Sequence, residues 1–189
     1  MKRGFKTNAE RIASEVRNEL DLNEDARLEP LELAEHLAIP VLNLGELSRV
    51  VPRNSFAQYF VAADPDSFSA VTIFRGYKRL IVHNESHHPN RQASNLTHEV
   101  SHSLLEHEPT PVVSDDGQRY WNAEVEEEAN WLGAALLVPR EGALSMAKAD
   151  CTVAEIAAHY GVSESLARWR ISQTGVAQQV QRWRQYRRN

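Results

Sequence analysis

From Gln92 to His107 the chain contains neither glycine nor proline, and Leu96, Leu104 and Leu105 supply apolar packing positions, so a continuous helix is expected there. Inside it lies His98-Glu99-Val100-Ser101-His102. Four residues on a helix turn through about 400°, which puts the two imidazoles on one face, one turn apart. Two ring nitrogens so placed can meet one zinc ion at roughly 2.0–2.1 Å. Glu99 projects about 100° further round, beside the metal rather than on it, which suits a general base acting on water. Val100 and Ser101 bring no competing ligand. The pattern is short, and its rival reading is a helix with two ordinary histidines beside an ordinary glutamate, so the rest of the chain has to supply context.

A catalytic zinc takes three protein ligands and leaves one position for water. Candidates for the third are His83, His87, His88, His107, His159 and the acidic run at 124–128. His107 lies nine residues beyond His98, half a turn off the shared face if the helix stays regular, and reads as a solvent-facing or helix-terminal histidine. The run A-E-V-E-E-E-A-N-W-L-G-A-A-L-L-V-P fits better. Glu126 and Asn130 are four apart and share a face, with Ala129 and Gly133 small enough on that side for close approach to the motif helix. Asn130 is placed to orient a ligating histidine through its other ring nitrogen. Glu128, rotated about 200° from Glu126, is expected to face solvent. Charge runs are commonly solvated faces, but the apolar tail L-G-A-A-L-L-V requires that part of this helix be buried.

Composition narrows the classes. The 189 residues are 42% hydrophobic and 25% charged, ordinary usage for a globular chain of one domain with room for a small appendage. Cys151 is the only cysteine, which excludes an internal disulfide and a cysteine-built zinc site and suits a reducing compartment. The start, M-K-R-G-F-K-T-N-A-E-R, lacks an apolar signal segment, and no run of 18 apolar residues follows, so a cytoplasmic protein without membrane association is expected. A net charge of −5 makes a poor general binder of nucleic acid, although Arg182, Arg184, Arg187 and Arg188 crowd the last eight residues.

Ala9, Ile12, Ala13, Val16 and Leu20 form an amphipathic stripe, and a second short helix follows Pro30. Val41 to Leu44 and Phe56 to Val61 look extended. S-A-V-T-I-F and R-L-I-V-H read as a hairpin around a four-residue R-G-Y-K loop. Helices are expected near 90–107, 120–138, 141–149, 153–160, 164–173 and 176–187, interrupted by the Pro/Gly-bearing loop 108–118. The fold class is α+β: a small, mostly antiparallel sheet followed by a helical half.

These residues resemble the ImmA/IrrE family of zinc metallo-endopeptidases. The likeness runs through R-G-F-K, S-A-V-T-I-F, R-L-I-V-H-N, Arg91 with N-L-T-H-E-V-S-H-S-L-L-E-H, E-E-E-A-N-W-L-G-A-A-L-L-V-P and the closing A-E-I-A-A-H-Y-G-V-S-E-S-L-A-R-W-R-I. It implies Zn2+ held by His98, His102 and Glu126, Glu99 as catalytic base and Asn130 behind the ligands. It further implies a zincin-like domain over 1–145 with helix-turn-helix-like helices over 146–189 packed on it. The expected activity is hydrolysis of a peptide bond in a specific intracellular protein, often a helix-turn-helix repressor or antitoxin. Members commonly carry an aromatic residue and an alanine where this chain has Leu132 and Gly133, a difference in packing rather than ligation.

Two questions stay open at this stage. A group stabilising the oxyanion besides zinc is not evident, with Tyr120, His88 and His107 as candidates. A rival class is a non-proteolytic DNA-binding or regulatory protein on the same scaffold. In it, 164–173 would enter a major groove, with Arg168, Trp169, Arg170 and the Trp183–Arg187 tail on phosphates. The acidic net charge weighs against direct nucleic-acid binding.

Overall fold

The computed structural model describes residues 1–50, 68–76, 78–108 and 122–188. In chain order these form α1 (Phe5–Glu19), α2 (Pro30–His36), β1 (Val41–Asn43), α3 (Leu44–Val50), β2 (Ala70–Arg75) and β3 (Lys78–His83). Six further helices follow: α4 (Pro89–Leu104), α5 (Ala123–Leu137), α6 (Arg140–Lys148), α7 (Val153–Tyr160), α8 (Glu164–Gln173) and α9 (Val176–Arg188). The fold is α+β. The expected strand at Phe56 to Val61, most of the loop 108–118 and Tyr120 lie outside the described residues.

The sheet order is β1-β3-β2, with β3 parallel to β1 and antiparallel to β2. Ile81 and Val82, successive residues of the central strand that point to opposite faces, are both buried, so the sheet is covered on both faces there. The hairpin closes further along than the sequence suggested: Arg75 pairs with Lys78, and Gly76 takes the left-handed conformation (φ 60°) that a tight connection needs. Residues 44–50, where no helix was expected, form α3.

Helices α4 and α5 make the centre of the molecule. From Trp131 to Val138 α5 is buried on every side, among Ala9, Ala13 and Val16 of α1 and Leu96 and Val100 of α4. A helix buried all round leaves its terminal carbonyls without water. Two buried arginines meet them. Arg17 of α1 donates to Leu136 O at 2.9 Å and to the carbonyls of Asn23 and Ala26. Arg170 of α8 donates its Nε to Val138 O at 3.1 Å and clamps Glu10 of α1 through both terminal nitrogens at 2.8 and 3.0 Å. Arg170 is therefore spent inside the protein. It is 1% exposed, which removes it from the phosphate contacts of the DNA-binding reading.

The C-terminal helices follow their sequence punctuation closely. Thr152 and Glu155 form a capping box at α7, Gly161 (φ 63°) ends it, and Ser163 caps α8. Removing one partner of a buried, hydrogen-bonded pair strands the other. Arg170→Ala is expected to lower stability by about 3 kcal/mol, measured by urea denaturation at neutral pH. Arg168→Ala, on the exposed face of the same helix, should leave the midpoint unchanged within error.

Candidate metal centre

The site begins with how closely two helices approach. A Cβ built on Gly133 would sit 3.3 Å from His98 N and Thr97 C and 3.4 Å from Ser101 Oγ, so the α5 backbone lies directly against the α4 backbone. On α4, Thr97 and Ser101 turn their hydroxyls back onto Ala93 O (2.8 Å) and Thr97 O (2.6 Å), which satisfies them inside the contact. Ala129 is fully buried one turn before Gly133. This contact carries Glu126 and Asn130 to the histidine face.

Three donors then converge. Glu126 Oε2 is 3.2 Å from His98 Nε2 and 3.8 Å from His102 Nε2, and the two Nε2 atoms are 3.1 Å apart. A tetrahedral ion with ligands at 2.0–2.1 Å has ligand–ligand edges of about 3.3–3.4 Å, a value that these separations bracket. The chemistry agrees. His98 Nδ1 lies 3.0 Å from Asn130 Oδ1, an acceptor, so Nδ1 carries the ring proton and Nε2 presents a lone pair. Lone pairs from two imidazoles and a carboxylate face one another, an arrangement a cation relieves. Glu126, His98 and His102 together can hold a metal ion.

The electrostatics point the same way. Burial pulls the His98 basicity down, but the Glu126 hydrogen bond and the Glu99 and Glu126 charges outweigh it and leave the pKa raised. His102 is pushed down to about 4, by burial first and then by repulsion from His98. Glu99 lies on the flank of α4 facing the sheet. Burial raises its pKa above the ordinary carboxylate range, opposed by a hydrogen bond from Thr72 Oγ1 of β2 to Oε2 at 2.6 Å.

Two expectations about this region need correction. The regular helix expected through His107 stops at Leu104. Glu106 adopts a left-handed φ of 53°, and the turn closes with His107 N donating to His102 O (3.0 Å) and Glu106 N to Ser103 O (3.2 Å), a Schellman pattern. The reversal brings His107 back onto the motif, where its Nδ1 is 2.9 Å from His102 Nδ1. His107 is thus neither solvent-facing nor half a turn away, because the helical extrapolation fails at Glu106. Glu128, expected in solvent, has a side chain only 13% exposed and sits 3.5 Å from His107 Nε2.

The other candidates lie elsewhere. His88 caps the start of α4, accepting from Asn90 N, about 15 Å along the helix from His98. His83 is buried on β3, His87 contacts Asn84, and His159 contacts Asp25 O. Thr72 was missed by the sequence reading, although a lone hydroxyl within V-T-I-F was a visible signal. On the far side of His98, Leu166 and Trp169 of α8 join Ser94, Asn130 and Gly133 around a cavity of about 200 Å³. Trp169 stacks edge-on against Trp131 with centroids 5.0 Å apart.

The Gly133 contact yields a direct test. Gly133→Leu is expected to force α5 away from α4 and weaken metal binding at least about tenfold, measured by chelator competition, because orienting contacts set ligand geometry. Gly133→Ala should have a far smaller effect, since its neighbours need give only a few tenths of an ångström.

Comparison with known proteins adds the family. No curated protein matches the chain. Residues 54–172, well over half of the chain, match the Peptidase M78 family, described as the IrrE N-terminal-like domain, and the matched span holds His98, His102, Glu126 and all but the last residue of α8. The protein accordingly belongs to the IrrE N-terminal-like (M78) metallopeptidase family.

Proposed function

We propose that the protein is a zinc-dependent endopeptidase that cleaves a specific intracellular protein, with His98, His102 and Glu126 holding the metal and Glu99 as the catalytic base. The observation that carries this reading is the convergence of three lone-pair donors beside a half-buried, separately held carboxylate. Imidazole and carboxylate donors in tetrahedral spacing suit zinc. When bound, zinc lowers the pKa of a coordinated water and polarises the scissile carbonyl.

The chain's own groups do the rest. Thr72 occupies Glu99 Oε2 and leaves the second oxygen to accept the proton of the attacking water. Glu99 then delivers that proton to the departing amine. Burial, by raising its pKa, makes the carboxylate a stronger base toward that proton. Asn130 fixes the His98 ring so that Nε2 stays unprotonated. Among the described residues β2 pairs on one side only, with β3, and its other edge suits an extended peptide docking by backbone hydrogen bonds. The family resemblance favours a DNA-binding repressor or antitoxin as the protein cleaved.

We take 1–145 as the zincin-like unit and 146–189 as helix-turn-helix-like helices packed on it. Its support is the Arg170–Glu10 clamp and the Trp169–Trp131 contact, which tie α8 to α1 and α5. Among the described residues no helix is long and apolar enough to cross a membrane, and the unpaired Cys151 suits the reducing cytoplasm.

Glu99→Gln is expected to retain stoichiometric zinc by elemental analysis while cleavage falls roughly 10²–10⁴-fold. His98→Ala and Glu126→Ala should lose both metal and cleavage. A purified chain without metal, together with an unchanged cellular effect of Glu99→Gln, overturns the enzyme reading.

A further inference from the structure

We infer that His107 and Glu128 form a positioning pair that fixes the His102 ring for metal binding, the counterpart on that ligand of Asn130 on His98. The inference rests on the metal site proposed above. His102 turns Nε2 toward Glu126 and His98, so a ring that ligates through Nε2 must carry its proton on Nδ1. That proton faces His107 Nδ1 at 2.9 Å, which must therefore accept. His107 is then obliged to keep its own proton on Nε2, the atom that faces Glu128 Oε2 at 3.5 Å. The three groups permit one consistent chain: His102 Nδ1–H donates to His107, and His107 Nε2–H donates to Glu128.

Three further observations support it. The pair is enclosed, with side chains 10% and 13% exposed, so water competes weakly for these bonds. Glu128 is held largely out of water, its Oε1 without a hydrogen-bond partner among the described residues and its Oε2 facing His107. The backbone is also committed: the Schellman turn at Glu106, in a left-handed conformation unusual for a residue with a Cβ, brings His107 onto His102. A carboxylate hydrogen-bonded through a second ring both orients the ligand and increases the electron density it offers a cation.

The test compares zinc affinity, by competition with a chromophoric chelator, in the full chain and in His107→Ala, His107→Gln, His107→Met and Glu128→Gln. His107→Ala is expected to weaken binding about 10–100-fold. His107→Gln should recover most of the loss, because its carbonyl accepts from His102 and its amide donates to Glu128. His107→Met fills similar space without an acceptor of that strength and should not recover it, which keeps the test decisive if the alanine variant folds poorly. Glu128→Gln should fall between. The visible spectrum of the cobalt-loaded protein should shift in His107→Met and return in His107→Gln. Affinities equal to wild type in His107→Ala, or equal losses in the Gln and Met variants, overturn the positioning role while leaving the metal site standing. A wild-type chain that binds no zinc overturns both.

Discussion

A backbone-to-backbone approach between α4 and α5 underlies everything else in this molecule. Metal centres of the His-x-x-x-His kind obtain two ligands from one helix without tertiary help, but the third has to arrive from elsewhere at ångström accuracy. Here the absence of a side chain at Gly133 and the inward-turned hydroxyls of Thr97 and Ser101 let the two helices meet without an intervening layer of side chains. Glu126, two turns before Gly133 on α5, inherits its position from that contact.

The same helix has a second task at its other end. Beyond Asn130 it is apolar on all sides, and its last carbonyls would be stranded without the guanidinium groups of Arg17 and Arg170. Two charges in the interior are costly unless hydrogen-bonded, and both are: Arg17 to backbone oxygens and Arg170 to Glu10 as well. The charged N-terminal half of α5 thus serves the site while its apolar half serves the core, a division visible in A-E-V-E-E-E-A-N against W-L-G-A-A-L-L-V.

Much of this was legible beforehand for identifiable reasons. Periodicity located α4 through α9 within a few residues, because each has its own caps and breakers. The converging donors were legible because helical spacing is a local property: His98 with His102, and Glu126 with Asn130, each share a face whatever the rest of the chain does. What failed was extrapolation past a helix end. Nothing in S-L-L-E-H announces that a glutamate will adopt the left-handed conformation usually left to glycine, so His107 read as a solvent-facing or helix-terminal histidine and Glu128 as solvent-facing. Thr72 failed differently, since its contact with Glu99 depends on the sheet packing across α4, and pairing between elements leaves little trace in a single sequence. Arg170 read as a surface cation for a similar reason: its partner Glu10 lies at the other end of the chain.

That long separation has a consequence for how the protein comes into being. Glu10 and Arg170 stand 160 residues apart, and their ion pair closes over the end of the helix that bears the carboxylate of the metal cluster. Loop closure over such a span is entropically costly and slow relative to the forming of the helices themselves. During synthesis the His-x-x-x-His helix can emerge and coil well before residue 170 exists, yet the helix carrying Glu126 lacks its seal until α8 has left the ribosome. The core around α5 therefore cannot be finished before residue 170 has been added to the growing chain.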